Sequence, residues 1–109
     1  MTQNSASTTP QPTPPTITVN GDNPAIIQVG DSYADLGATI TGPTADLNLR
    51  LKTFLNGTLV SNIVVDTSQV ATDTIDYVAT DQNGFTATST RTVIIEPVIE
   101  ATTSATSTQ

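Results

Sequence analysis

Between residues 16 and 96 the chain alternates short apolar, β-branched runs with clusters of Gly, Pro, Asn and Asp. The clearest alternation is Leu47–Leu55, where Leu47, Leu49, Leu51 and Leu55 share one parity. A period of two predicts a strand with one buried face and one wet face. Asn56-Gly57 follows. This pair readily supplies the two φ > 0 residues of a type I′ hairpin turn, so a return strand is expected over Thr58–Val65. Upstream, strands are expected at Thr16–Asn20, at Ala25–Val29 after the turn Asn20-Gly21-Asp22-Asn23-Pro24, and at Tyr33–Thr41 after Gly30-Asp31. Downstream, the link Asp66–Thr72 leads to Asp73–Thr80, in which Ile75, Tyr77 and Ala79 share a face. Asp81-Gln82-Asn83-Gly84 forms a second hairpin turn. The last strand, Phe85–Glu96, stops before Pro97, which has no N–H to give a ladder.

About seven short strands with a turn every 8–12 residues, and no helical pattern beyond a turn, predict an all-β, antiparallel β-sandwich. The expected core is Ile17, Val19, Ile27, Val29, Leu36, Ile40, Leu49, Leu51, Ile75, Tyr77, Val93 and Ile95. Outside this unit the pattern disappears. Residues 1–15 are uncharged, end in a Pro/Thr-rich stretch, and read as an extended spacer without a core of its own. Residues 97–109 are Ser/Thr-rich and read as a second, disordered linker. A folded unit over 16–96 between two spacers is what one bead cut from a string looks like.

Composition narrows the chemistry. The 109 residues contain no Cys and no His, which removes disulfides, thiol nucleophiles, Cys/His zinc sites and imidazole acid–base catalysis. Three basic residues stand against ten acidic ones, a net charge of −7, so phosphate-backbone binding is not expected and nucleic acid is no partner. No apolar run reaches the roughly 18 residues of a membrane span, so this segment is not expected to insert into a bilayer. Threonine makes up about a fifth of the chain and reinforces the β assignment. Met1 precedes Thr-Gln-Asn-Ser-Ala, with neither the basic start nor the apolar stretch of a secretory signal. If the domain is exported, its signal is expected elsewhere, with Met1 marking an excised piece.

Three elements then carry a family likeness. Ile17-Thr18-Val19-Asn20-Gly21 resembles an Ile-x-Val-x-Gly opening. Tyr33-Ala34-Asp35-Leu36-Gly37-Ala38 resembles a Tyr-x-Asp-x-Gly-Ala element. Tyr77-Val78-Ala79-Thr80-Asp81-Gln82-Asn83-Gly84 with Arg91-Thr92-Val93 resembles a closing hairpin of pattern Tyr-x-Ala-x-Asp-x-x-Gly followed by Thr-Arg-x-Val. In this order and spacing, over residues 16–96, they resemble a bacterial Ig-like family found as repeats in large cell-surface proteins, similar in kind to hyalin-repeat and cadherin-like modules. Phe85 stands where the family often has Asn, and Ala71-Thr72-Asp73-Thr74 replaces its Pro-Gly-Thr-Tyr. The resemblance implies an Ig-like β-sandwich, an extracellular cell-surface location, and neighbouring repeat domains as partners.

The same residues have physical readings of their own. Gly37 interrupts a strand pattern and is expected to mark a bulge. Gly84 supplies φ > 0, and Asp81 bonds the backbone N–H groups of its own turn. Tyr77 brings an apolar ring with a hydroxyl that needs a partner, and Tyr33 opens the Tyr-x-Asp-x-Gly-Ala element as a structural residue. Arg91 shares the parity of Val93 and Ile95 and is expected to lean over the core edge and pair with an acid, Asp35 first.

Four reactive readings compete with structural ones. Ile63-Val64-Val65-Asp66-Thr67-Ser68 resembles the element of a dimeric aspartic protease, but no glycine is nearby, the position is late in the chain, and no second glycine-bearing apolar element follows. Asp22, Asn23, Asp31, Asp35, Asp81 and Asn83 are oxygen ligands near turns, yet they form neither an acidic doublet nor EF-hand spacing, and Asx turns account for them. Lys52, the single lysine, sits on the polar parity of its strand, which suits a surface lysine better than an isopeptide bond. No Trp is present for stacking sugars, Phe54 is undistinguished, and the sequon Asn56-Gly57-Thr58 coincides with a turn. No catalytic residue, cofactor or metal is therefore expected. The function expected is that of a spacer or stalk module. The alternatives are a module binding a protein or glycan ligand, or a subunit of an extracellular filament or surface layer.

Overall fold

In a computed structural model, the structure describes residues 13–98. Most of the two spacer segments expected from the sequence lies outside these residues. Seven strands form: β1 (Thr16–Val19), β2 (Ala25–Gln28), β3 (Ala38–Gly42), β4 (Lys52–Leu55), β5 (Thr58–Val60), β6 (Ala71–Thr80) and β7 (Thr86–Glu96). They make two sheets. One is the pair β1-β3, the other has the order β2-β7-β6-β4-β5. The long β6–β7 hairpin is the spine, pairing without interruption from Ala71↔Ile95 to Thr80↔Thr86.

Every ladder is antiparallel except β2–β7, which is parallel, with Ala25↔Val93 through Gln28↔Glu96. The physical reason lies in the Asn20–Pro24 link. It carries the chain from one sheet to the other without reversing it, so no crossover connection is needed to place β2 beside β7. Asn56 (φ 50°) and Gly57 (φ 87°) join Leu55 to Thr58 as a two-residue turn, as the Asn-Gly pair predicts.

The core is built from the inward parity of the spine. Ile75, Tyr77 and Ala79 of β6 and Val93 and Ile95 of β7 are essentially inaccessible, and Ile17, Ala25 and Ile40 close over them. Fully burying an aliphatic side chain of this size contributes about 2 kcal/mol before chain entropy is subtracted. Val19, Ile27, Val29, Leu49, Leu51 and Leu55 pack partly buried around this centre.

Several expectations fail locally, among them the return strand over Thr58–Val65, which stops at Val60. The strand expected over Leu47–Leu55 begins only at Lys52. A 3-10 helix at Thr44–Asp46, continued by Leu47 N–H to Thr44 O (3.3 Å) and Leu49 N–H to Asp46 O (3.1 Å), coils the preceding chain. Leu47 therefore escapes the two-residue period and is 47% exposed. The strand expected over Tyr33–Thr41 shrinks to Ala38–Gly42, and Leu36, placed in the core by its apolar type, is 65% exposed over Gly21. Gly37 marks no bulge. It precedes β3 at φ 74°, and the register shift of the β1–β3 pair lies between Thr16 and Ile17. Ala25 and Ala79, too small to stand out in the pattern, belong to the core as well.

Candidate functional site

The most chemically loaded point of the sandwich is a buried cluster on the inner face of β7. Arg91 follows the inward parity of Val93 and Ile95, so its side chain is directed into the sandwich and is 2% exposed. A buried charge is tolerable only when paired and fully hydrogen-bonded. The first condition is met, and four of the five guanidinium N–H groups find acceptors. Arg91 Nε lies 3.0 Å from Asp35 Oδ1 and also donates to the Tyr77 hydroxyl (3.0 Å). Nη2 donates to the carbonyls of Asn20 (2.6 Å) and Gly37 (3.0 Å), and Nη1 to that of Asp22. The planar fork suits these divergent acceptors, which a lysine ammonium could not span in the same way.

Asp35 is the matching hub. Its carboxylate accepts from the Tyr33 hydroxyl (2.5 Å), the Tyr77 hydroxyl (2.6 Å) and the Gly37 N–H (3.0 Å), in addition to the arginine. Burial would by itself raise its pKa. The two tyrosine hydroxyls, the Arg91 charge and the Gly37 N–H outweigh that and hold it below the ordinary aspartate value. Tyr77 moves the other way. Burial, then its bond to the Asp35 carboxylate, push its hydroxyl up to about 12. Tyr33 is raised for the same two reasons, in the same order.

This clasp explains the Tyr33–Gly37 segment. No ladder holds it, yet Asp35 anchors it in the core while Leu36 between the anchors faces out. Gly37 needs its positive φ to present its N–H to Asp35 and its carbonyl both to the Asn20 N–H (2.9 Å) and to Arg91. Tyr33, Asp35, Gly37, Tyr77 and Arg91, dispersed over 59 positions of sequence, thus form one cluster. Asp81 and Gly84 do not join it. Asp81, 7% exposed, accepts the N–H groups of Asn83 (2.8 Å) and Phe85 (2.9 Å) through Oδ1, and Gly84 closes the turn at φ 88°.

Sequence reasoning missed the carbonyls of Asn20, Asp22 and Gly37, because a carbonyl is present at every position and only the fold aims it. It gave Asn23 only a turn role, whereas its side chain reaches β7, donating to Thr90 O (2.8 Å) and accepting from the Thr92 N–H (3.0 Å). The other candidates lie in separate places. Asp66 is exposed and accepts from the N–H (2.9 Å) and Oγ (2.6 Å) of Ser68, a local turn that holds its pKa down. Asn56 is tied to Asp73 (2.7 Å) and to the Thr74 N–H (2.9 Å). Lys52 is exposed and lies opposite Val78 on β4. Among the described residues no three His, Cys, Asp or Glu side chains gather as a metal site would need.

Two sheets closed over one apolar interior, with the chain changing sheets between β1 and β2 so that β2 runs beside β7, define an Ig-like β-sandwich. Residues 17–95 match the family described as bacterial surface protein, Ig-like domain, and the chain belongs to that family. No curated protein matches the chain. The family places the chain among bacterial surface modules, and no helix of the described residues is long and apolar enough to cross a membrane.

Proposed function

We propose that this domain is a non-catalytic spacer of an extracellular repeat protein, joined to neighbouring domains on both sides and holding a distal domain away from the cell. The observation that supports this reading is the path of the chain. Ile17 lies beside Ser89, near the start of β7, while Val29 is bonded to Glu96 at its end, so residues 16 and 96 leave the sandwich at opposite ends. Such a unit adds its full length to a string instead of doubling back. The clasp fits the same role, because its charges are consumed inside the fold. Membership of a surface-protein family supports the location.

Small-angle scattering of two copies joined through their own 97–109 and 1–15 segments tests it. A spacer gives a monomeric particle about twice as long as one copy, with a melting temperature indifferent to calcium chelation. A compact, folded-back pair would sink the proposal. One observation favours a second reading. Exposed Ile26 and Leu36 share a hollow of about 200 Å³ with Tyr33, which would suit a protein or glycan ligand. Glycan and peptide arrays distinguish this reading, since saturable binding abolished by Leu36→Asp would favour it over the spacer.

A further inference from the structure

Asparagine followed by glycine occurs three times, at Asn20-Gly21, Asn56-Gly57 and Asn83-Gly84. This pair carries a reaction of its own. Glycine has no side chain to hinder its backbone nitrogen, which can attack Cγ of the asparagine before it. Base removes the glycine N–H proton, the N–Cγ bond forms, and the Cγ–Nδ2 bond breaks with release of ammonia. Water then opens the five-membered imide at either carbonyl. One opening gives aspartate. The other gives isoaspartate, in which the main chain runs through Cβ and Cγ. Each event consumes one water, releases one ammonia and adds one negative charge. The attack requires Cγ to stand against the next nitrogen, so whatever holds the side chain elsewhere slows the reaction.

The fold treats the three pairs differently. Asn56 is exposed, but its amide is turned to β6, where Nδ2 donates to Asp73 Oδ1 (2.7 Å) and Oδ1 accepts the Thr74 N–H (2.9 Å). Asn20 is partly buried, donates to Leu36 O (3.2 Å) and accepts from the Thr39 hydroxyl (3.1 Å). Leu36 also covers Gly21, its Cδ1 standing 2.6 Å from where a Cβ would lie. Asn83 has no such restraint. It is exposed in the β6–β7 turn, and among the described residues its side chain takes no hydrogen bond. Only its N–H is engaged, by Asp81 Oδ1 (2.8 Å). Gly84 has open space around it, and its N–H is held by one bond, to Asp81 O (3.0 Å). A single bond in an exposed turn opens readily.

We propose that Asn83-Gly84 is a site of spontaneous modification, converting to isoaspartate and aspartate in the folded domain, while hydrogen bonds protect Asn20 and Asn56. Conversion to isoaspartate also unlatches the turn. The added main-chain carbon falls between positions 83 and 84, so Asp81 Oδ1 no longer holds both the Asn83 N–H and the Phe85 N–H (2.9 Å). The proposal goes beyond the spacer reading and needs neither neighbour nor ligand.

Incubating the full 109-residue chain at mildly alkaline pH, folded or in urea, tests it, with conversion at each pair read by peptide mass spectrometry. Two hydrogen bonds on each protected side chain correspond to a rate difference of about tenfold to a hundredfold. In the folded chain Asn83 should therefore convert at least about tenfold faster than Asn20 or Asn56. In urea, where these bonds are gone, the three rates should come close together. Asp73→Ala should speed Asn56 several-fold and leave Asn83 unchanged. The isoaspartate form, separated by anion exchange, should lose amide protection at positions 83 and 85 while the β6 and β7 ladder stays protected. A folded chain in which Asn20 or Asn56 matches Asn83, or in which Asn83 does not convert, overturns the proposal. So does the same ranking in urea, because the local sequence would then set it. These comparisons use the unsubstituted chain and need no variant to fold. Unchanged protection of the Phe85 amide in the isoaspartate form overturns the unlatching.

Discussion

Replacing Arg91 by methionine isolates the contribution of the clasp. The side chain keeps much of its length and loses the guanidinium. Asp35, whose side chain is 7% exposed, then keeps a buried negative charge without its partner. The carbonyls of Asp22 and Asn20 lose their arginine donor, and the Gly37 carbonyl keeps only the Asn20 N–H. Breaking a buried ion pair from one side costs about 3–5 kcal/mol, because the remaining charge is left uncompensated. A domain of this size has only about 5–15 kcal/mol in total. At roughly 4–8 °C per kcal/mol the melting temperature of Arg91→Met should fall by about 12–40 °C, read by circular dichroism. Asp35→Asn with Arg91→Met removes the stranded charge, so the double variant should be less destabilised than the sum of the singles by about 1–3 kcal/mol. An Arg91→Met cost below about 1 kcal/mol, typical of an exposed pair, would refute the reasoning. Strict additivity in the cycle would refute it as well.

Further outcomes follow from the same geometry. The folded-state pKa of Asp35 lies below its unfolded value near ~4, so the stability it contributes is complete above that range and is lost as pH falls through its folded value. Tyr77 is raised to about 12 against an unfolded value near ~10, so the folded state holds the extra proton and stability declines as pH rises between these values. Urea midpoints should therefore form a plateau that drops at both extremes, and a midpoint still rising above pH ~10 would contradict this assignment of Tyr77. Asp81→Ala strands two N–H groups of a tight turn and should cost about 1–2 kcal/mol by urea titration, whereas Asp66→Ala should leave the midpoint in place. Ile75→Ala, at the most enclosed point of β6, should cost about 2–5 kcal/mol, and a loss under 1 kcal/mol would mean that the core lies elsewhere.

How far the fold could be read from the residues differs along the chain, for physical reasons. The β6–β7 hairpin is legible because its two-residue period runs for ten positions and its turn carries Asp81 and Gly84. The β4–β5 turn is legible because Asn-Gly has few other uses. The Leu47–Leu51 stretch misleads, since an alternating leucine pattern survives on paper even where Pro43 and a 3-10 helix have coiled the chain. Leu36 misleads because an apolar residue between two anchors faces whichever way the anchors leave it. Parity and charge give Arg91 an acidic partner, with Asp35 the first candidate, and the fold makes the choice among the acids. The three carbonyls around the guanidinium could not be read that way, because they depend on the Asn20–Pro24 link changing sheets, which no local pattern encodes. The same link makes β2 parallel to β7, the one ladder whose direction departs from the antiparallel expectation.

The claim on which the rest depends is that the Asp35–Arg91 clasp fastens the strandless Tyr33–Gly37 segment into the closed interior. Native-state hydrogen exchange at the Gly37 amide tests it most directly. That N–H belongs to no ladder, and its acceptor is Asp35 Oδ2 at 3.0 Å. The account predicts that it exchanges only through global unfolding, with the same free energy as the amides of Ile75 and Val93 in the core strands. Exchange at the rate of an ordinary surface loop, with β6 and β7 still protected, would contradict it.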